Sequence, residues 1–449
     1  MTFQRVTASR IARFIRRLRP RVKVVVGGYD PSLAPEAYAA PESEVDFIVR
    51  GEGEATFRAL LRSLESGQDF AMIPGLSWRN GFAMRHNSAR HLSRLEDGEI
   101  ALPDRRTRVL AGYTMLGRQA DVVETSRGCT YDCSFCSIIE MRGRNFHTYS
   151  IERVIADITD AHAHGARCIF LVDDNITLDV RRFAALCQAI VAAGLDGLDY
   201  IVQAMTSAIA NHGEELAPLM RKAGVRYVFL GIENVVAHDL AFLRAAAKNS
   251  RREGGRHVGN AALDAIEILH RHHMLVVGGL IIGNPDDTPV SIDANLQFAR
   301  QHIDWPYIQH PTPYPGTPMT ADFRARGLLL HERVEEYDGT TAVVRSETLP
   351  ADEIEFARWK ADRWMKVRHV PAVFVHDPWF VLRHTPQMLA HTFRGCSWRT
   401  FVGLEDARQA FERYRRIRRS ERKYMPAQHD EPSVGDLPAT ACHSPAGAG

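Results

Sequence analysis

The chain has 449 residues, of which 45% are hydrophobic and 24% charged, the proportions of an ordinary globular protein. Its length allows two or three domains, and a formal net charge of +2 gives no general case for nucleic-acid binding. The longest apolar run, residues 274–283, is too short to cross a bilayer and predicts a buried strand. Seven cysteines, an odd number without a signal peptide, favour a reducing compartment, so we expect a cytoplasmic protein.

Residues 1–70 predict part of an α/β domain. A helix with one apolar face, ended by Pro20, precedes a β-branched run at residues 22–26 that leads into Gly27-Gly28. A second strand at residues 45–49 is followed by a Gly-rich turn and another helix. This alternation is typical of a doubly wound, Rossmann-like sheet.

Residues 71–120 predict a connector, because turn dipeptides are frequent there and long apolar runs are few. Strands and helices then alternate over residues 121–320. The predicted strands cover residues 121–126, 167–172, 198–205, 226–232, 274–282 and 303–309. The predicted helices cover residues 151–164, 180–193, 213–223, 261–273 and 290–302. Six such repeats predict a partial (β/α)6 barrel, in which functional residues follow the carboxyl ends of the strands.

Three cysteines lie within eight residues, directly after the first predicted barrel strand. They are Cys129, Cys133 and Cys136, and an aromatic residue, Phe135, precedes the third. Three thiolates on one loop can hold three irons of a cubane cluster and leave the fourth iron open to a ligand. A structural zinc site needs four ligands, and no second CxxC is present. A non-catalytic iron–sulfur or zinc module remains the alternative from a different functional class.

Polar residues and glycines also follow three other barrel strands. The candidate ligand-binding residues are Asp173, Asp174 and Asn175 after the second strand, Glu233 after the fourth, and Gly279, Ile281 and Gly283 in the fifth. The carboxylates could equally cap the next helix or shape a turn. The glycines would permit close approach of the backbone to a planar ring.

The CxxxCxxC spacing with its aromatic residue resembles the signature of the radical S-adenosylmethionine (SAM) enzymes. The resemblance implies that the three cysteines hold a 4Fe–4S cluster whose open iron binds the amino and carboxylate groups of SAM. It also implies that residues 173–175 meet the amino group of SAM and that Glu233 belongs to a GxE turn. The strand containing Gly279, Ile281 and Gly283 would contact adenine, with Asp286 where the family has Glu.

Two further stretches resemble the cobalamin-associated class of this family. VVVGGYDPSLAPE and DFIVRGEGEATFRALL are similar to the final strands of its cobalamin-binding domain, and TPYPGTP at residues 312–318 is similar to another of its signatures. That last stretch is equally suited to a rigid structural turn. The domain's earlier strands would lie upstream of Met1, so the domain looks truncated. We therefore expect these 449 residues to bind little cobalamin.

The resemblance implies reductive cleavage of SAM to a 5′-deoxyadenosyl radical that removes hydrogen from an unactivated carbon. Methyl transfer from cobalamin would follow, with a flavodoxin or ferredoxin as electron donor. Oxidative ring closure or rearrangement by a radical SAM enzyme is the alternative outcome.

Residues 321–425 predict a mostly helical C-terminal domain, and residues 426–449 a disordered tail. Aromatic and apolar residues at 371–404 either pack against the barrel or line a substrate cavity. The basic helix at residues 405–423 is either a solvated face or a peripheral contact with an anionic membrane. These features favour a small-molecule or lipid substrate, such as a hopanoid.

Overall fold

The computed structural model describes residues 2–40, 43–90, 100–115, 117–253, 256–376, 378–379, 381–382, 385–386 and 403–421. The helices are α1 (Arg5–Leu18), α2 (Tyr29–Leu33), α3 (Gly53–Ser66), α4 (Ser137–Arg142), α5 (Ile151–Ala163), α6 (Val180–Ala192), α7 (Thr206–Lys222), α8 (Ala237–Phe242), α9 (Ala262–Arg271), α10 (Pro289–His302), α11 (Pro318–Ala325), α12 (Ala351–His376) and α13 (Ala407–Glu421). In these ranges no helix has both the length and the apolarity that crossing a membrane requires.

The strands are β1 (Val25–Gly27), β2 (Phe47–Val49), β3 (Leu76–Asn80), β4 (Ala83–His86), β5 (Thr114–Met115), β6 (Arg118–Val123), β7 (Ser126–Arg127), β8 (His147–Thr148), β9 (Cys168–Leu171), β10 (Asp199–Met205), β11 (Val225–Glu233), β12 (Arg251–Glu253), β13 (Arg256–Val258), β14 (Leu275–Ile281) and β15 (Trp305–Gln309).

A four-stranded sheet in the order β1-β2-β3-β4 forms the N-terminal part of the protein. Strands β1 and β2 run parallel, as the predicted α/β pattern requires, and both carry their Gly-rich turns at the same edge. The hairpin of β3 and β4 then adds to the sheet in antiparallel fashion. This hairpin lies in the segment that we predicted as a connector. The sheet therefore continues to His86, and Leu76 is fully buried in its core.

The partial barrel is a seven-stranded sheet in the order β15-β14-β11-β10-β9-β6-β5. Strands β6, β9, β10, β11, β14 and β15 pair in parallel, and β5 alone joins as an antiparallel edge. This arrangement confirms the predicted barrel of six β/α repeats. Because the strands are parallel, their carboxyl ends lie along one rim.

Helix α7 differs from its prediction, because it begins at Thr206, directly after β10, rather than at residue 213. Gly213, where the predicted helix began, lies inside α7 and is a packing residue. A Cβ at this position would lie 2.8 Å from a side-chain carbon of Ile268 in α9. The glycine therefore lets the two helices approach closely.

The basic helix predicted at residues 405–423 is present as α13. Its Phe411 is fully buried against Phe356 and Trp359 of α12. Its arginines also pair with acids of the same chain, as Arg418 does with Asp338 at 3.1 Å. Contact of this helix with a membrane stays a prediction. Most of the aromatic segment and the whole of the predicted tail lie outside the described residues.

Candidate active site

The cysteine loop begins after β6 and is shaped by a glycine. Gly128, directly before Cys129, has a φ of +89°, and a Cβ there would lie 2.5 Å from the backbone oxygen of Asn145. No other residue fits that space without a shift of the backbone. The loop ends at Cys136, which precedes α4 as its N-cap residue.

A buried carboxylate holds the base of the loop. Asp173 is 0% exposed and accepts hydrogen bonds from Thr125 N (2.6 Å), Thr125 Oγ1 (2.5 Å) and Ser126 Oγ (2.6 Å). Burial raises the pKa of Asp173, although these hydrogen bonds act in the opposite direction. Its neighbour Asp174 accepts a hydrogen bond of 2.8 Å from Gly128 N. Both aspartates therefore position the cysteine loop.

Asn175, the third residue of the segment predicted to meet the amino group of SAM, points toward β10. Its Nδ2 lies 3.8 Å from Met205 Sδ, and its Oδ1 accepts a hydrogen bond from Thr177 Oγ1. Contact of residues 173–175 with SAM stays a prediction.

Ser134, in the middle of the loop, forms hydrogen bonds to two other parts of the chain. Ser134 donates from N to Leu243 O (3.0 Å) and from Oγ to Phe242 O (2.9 Å), at the end of α8. Its own carbonyl oxygen accepts a hydrogen bond of 2.9 Å from Met319 N in α11. These three bonds fix the backbone between Cys133 and Cys136.

The loop offers three thiols in a mostly apolar surrounding. Cys133 is 6% exposed, and burial raises its pKa to about 11 and the pKa of Cys136 to about 12. Iron binding must therefore displace these protons. Within the described ranges, no three or more side chains of His, Cys, Asp or Glu are arranged to hold a single metal ion. A cubane cluster takes each thiolate on a different iron, and the donor set fits that requirement. Cys168 and Cys187 are buried in the barrel.

Glu233 ends β11 in a strained conformation beside the cysteine loop. Its φ is +61°, and the register between β11 and β14 shifts at this residue. Its Oε1 lies 2.6 Å from Nζ of Lys248, which the sequence analysis missed. Burial opposes the charge of Lys248, but Glu233 together with the nearby Cys133 and Cys136 outweighs burial and raises the pKa of Lys248. The sequence could not identify this lysine, because it belongs to no motif of regular spacing and simply follows three alanines.

The predicted adenine strand, β14, reaches the same region. Ile281 is 8% exposed and belongs to one apolar cluster with Cys133 and Met319. The space beside Gly279 is filled by the ring of Phe229, 3.1 Å from where a Cβ would lie. At Gly283 a Cβ would lie 2.9 Å from Ile354 of α12. Both glycines thus permit close packing inside the protein, and their contact with adenine stays a prediction.

The carboxylate that shapes the turn after β14 is Asp287. It is fully buried, and its Oδ2 accepts hydrogen bonds from Gly283 N (2.7 Å) and Asn284 N (2.8 Å). Asp286, which we matched to the family's Glu, is instead half-exposed and pairs with Arg326 at 2.6 Å. Asp287 rather than Asp286 therefore shapes this turn, and the match of Asp286 to the family's Glu stays a prediction.

Asp239 of α8 faces this turn without a hydrogen-bond partner among the described residues. It is 1% exposed, and burial raises its pKa to about 8, with a further increase from the charge of Asp287. Asp239 therefore holds its proton more tightly than an ordinary carboxyl group does.

A cavity of about 770 Å³ lies between the N-terminal sheet and the barrel. The Gly-rich ends of β1 and β2 form one wall, and Met141 and Arg142 of α4 form the other. Arg127 connects the two parts, because it pairs with Glu52 (2.7 Å) and Glu54 (2.6 Å) on one side and Glu124 (2.7 Å) on the other. The cysteine loop is thus flanked by this cavity.

Two protein families match the chain. Residues 123–299 match the radical SAM superfamily, and residues 1–61 match the B12 binding domain. The chain belongs to the radical SAM superfamily and is a radical SAM enzyme. The cofactors of these two families are the 4Fe–4S cluster, SAM and cobalamin.

Three curated relatives of the chain have names that state different activities. The chain is 30% identical to the uncharacterized methyltransferase PH0819 of Pyrococcus horikoshii over 77% of this chain and 73% of the relative. It is 25% identical to an anaerobic magnesium-protoporphyrin IX monomethyl ester cyclase of Synechocystis, over 80% of this chain and 68% of the relative. It is 27% identical to the hopanoid C-3 methylase of Methylococcus capsulatus, over 66% of this chain and 54% of the relative.

The fold is similar to that of a solved structure, the radical SAM methyltransferase TsrM of Kitasatospora setae with cobalamin and a 4Fe–4S cluster bound. The TM-score is 0.58 at 20% sequence identity, and the match covers 72% of this chain and 61% of the other. The two proteins therefore share their architecture.

We expect Cys133→Ala to remove the iron–sulfur cluster, because the three thiolates hold it together. Iron and sulfide per chain should fall to background after anaerobic reconstitution, and reductive cleavage of SAM should stop. Cys187→Ala, which removes a buried thiol far along the barrel, is the matched control and should keep its cluster. SAM cleavage by Cys133→Ala would contradict the assignment.

We expect Asp239→Asn to stabilise the protein at alkaline pH. The pKa of Asp239 rises from its ordinary value of 3.8 to about 8 on folding, so the wild type loses stability as the pH increases between those values. The amide stays neutral, and at about 1.4 kcal/mol per pKa unit the variant should gain on the order of 5 kcal/mol at pH 8 and nothing near pH 4. Thermal unfolding across that range measures the difference. Asp286→Asn is the exposed control, and a similar profile for both variants would refute the raised pKa.

Proposed function

We propose that this chain is a cobalamin-dependent radical SAM methyltransferase that adds a methyl group to an unactivated carbon of an apolar substrate. The observation that supports this most is the position of the cavity. One of its walls is α4, the helix that begins directly after Cys136, and the other is the Gly-rich edge of the B12-type sheet. A methyl donor held there would lie next to the cysteine loop.

Different residues would hold the cluster and SAM. Cys129, Cys133 and Cys136 would hold the cluster, and the rim formed by Glu233 and Ile281 would face SAM. Buried apolar side chains around Cys133 exclude water from the reaction. When bound, the cofactors supply the radical and methyl-transfer chemistry, while the protein orients them.

A polycyclic isoprenoid lipid, such as a hopanoid, is the substrate class that we propose. The name of the relative from Methylococcus capsulatus supports it, although the chain spans about half of that protein. Methyl transfer is preferred to ring closure because two of the three relatives are named for it, as is the solved structure. A flavodoxin or ferredoxin as electron donor, peripheral membrane contact through α13 and a cytoplasmic location complete the proposal.

Comparative lipid profiling tests the reaction. Cells that contain the gene should accumulate a lipid heavier by one methylene than the lipid in cells from which the gene is deleted. Complementation with Cys133→Ala should not restore the heavier lipid, whereas Cys187→Ala should. A product that has lost two hydrogens without gaining carbon would instead favour ring closure.

The cavity predicts where cobalamin binds. Gly53 lines it at the start of α3, and a Cβ there would make only an ordinary contact of 3.5 Å with Val49. Gly53→Phe should therefore fold, project a ring into the cavity and weaken hydroxocobalamin binding at least about tenfold, with Gly53→Ala close to the wild type. Absorbance titration measures binding, and iron content should not change. The same titration of the wild type measures how much cobalamin these 449 residues bind.

A further inference from the structure

Lys248 places a cation beside the cysteine loop that the proposed function leaves without a role. It lies on the helical turn of residues 246–249, beyond α8. Its ammonium pairs with Glu233 at 2.6 Å, and the two side chains are only 18% and 10% exposed. A half-desolvated pair of this kind interacts more strongly than one in water.

The surroundings of this pair are built to hold it. A Cβ on Gly231 would lie 2.8 Å from Glu233 Oε1 and 3.1 Å from Lys248 Nζ, so the glycine provides the space that the pair occupies. The ammonium also lies 5.9 Å from the centre of the ring of Phe135, the residue directly before Cys136. Lys248 is thereby held against the cysteine loop.

The charge of Lys248 lies close to the cluster ligands. Its ammonium packs against Phe135, which stands between Cys133 and Cys136 in the chain, and the carboxylate of Glu233 lies 2.6 Å from that ammonium. A 4Fe–4S core with three thiolates carries about one net negative charge, and about two after it accepts one electron. A nearby cation stabilises the more negative state more strongly, and a nearby anion does the reverse.

We propose that Lys248 is a positioning cation that raises the reduction potential of the cluster, and that Glu233 partly offsets it. Lys248 thereby eases uptake of the electron that reductive cleavage of SAM requires. This inference depends on the cluster of the cysteine loop and is independent of methyl transfer and of cobalamin.

Redox titration of the reconstituted full chain without SAM tests the proposal. A low-potential chemical reductant such as titanium(III) citrate supplies one electron per cluster and is itself oxidised, and electron paramagnetic resonance measures the reduced fraction. Lys248→Met keeps the length of the side chain without its charge and should shift the midpoint potential to a more negative value. Glu233→Gln should shift it to a more positive value. The double variant should lie between the two single variants.

Three controls separate an electrostatic effect from damage. Iron and sulfide per chain must equal those of the wild type, and Lys248→Arg, which keeps the charge, should retain a potential close to the wild-type value. Lys222→Met removes an exposed lysine at the end of α7 and should have no effect. If Lys248→Met fails to assemble a cluster, Lys248→Arg and Glu233→Gln still decide the matter. Unchanged potentials, or shifts of both single variants in the same direction, would overturn the proposal.

Discussion

The site depends on one buried carboxylate. Asp173, after the second barrel strand, accepts three hydrogen bonds from Thr125 and Ser126, where the chain leaves the first strand. Leaving a buried donor without its partner costs about 1–3 kcal/mol, so these bonds hold the beginning of the loop to the sheet. Asp174 extends the attachment to Gly128, next to the first cysteine. The rigid parallel sheet thus fixes where the thiols begin, through two carboxylates that lie outside the cysteine loop itself.

The N-terminal sheet is joined to this loop by charge. Arg127 pairs with carboxylates from both parts of the chain, and Arg142 approaches Glu52 and Asp174. Desolvation consumes much of the Coulomb energy of such pairs, so their main contribution is to specify an orientation rather than to add stability. The cavity between the two parts keeps its position relative to the cysteines for this reason.

Features that depend on the spacing of residues along the chain could be predicted from the sequence. The three cysteines and the six β/α repeats each have a spacing that indicates one fold, and the structure confirms the partial barrel. Roles that depend on tertiary contacts could not be read in this way. Asp173 could bind a ligand or another part of the chain, and only the position of Thr125 shows the hydrogen bonds that it makes within the protein. Lys248 belongs to no sequence motif, and only packing shows that Asp287 rather than its neighbour Asp286 makes the hydrogen bonds of the turn.

The clamp on Ser134 has a consequence for how the protein is made. Met319 N, which binds the carbonyl oxygen of Ser134, lies far along the chain from the cysteine loop. During synthesis the loop therefore emerges from the ribosome long before its clamp exists, and contacts of such wide sequence separation form late. The three thiols reach their final spacing only when nearly the whole barrel has been translated. The cellular machinery that delivers iron and sulfide consequently meets an almost complete protein rather than a nascent chain.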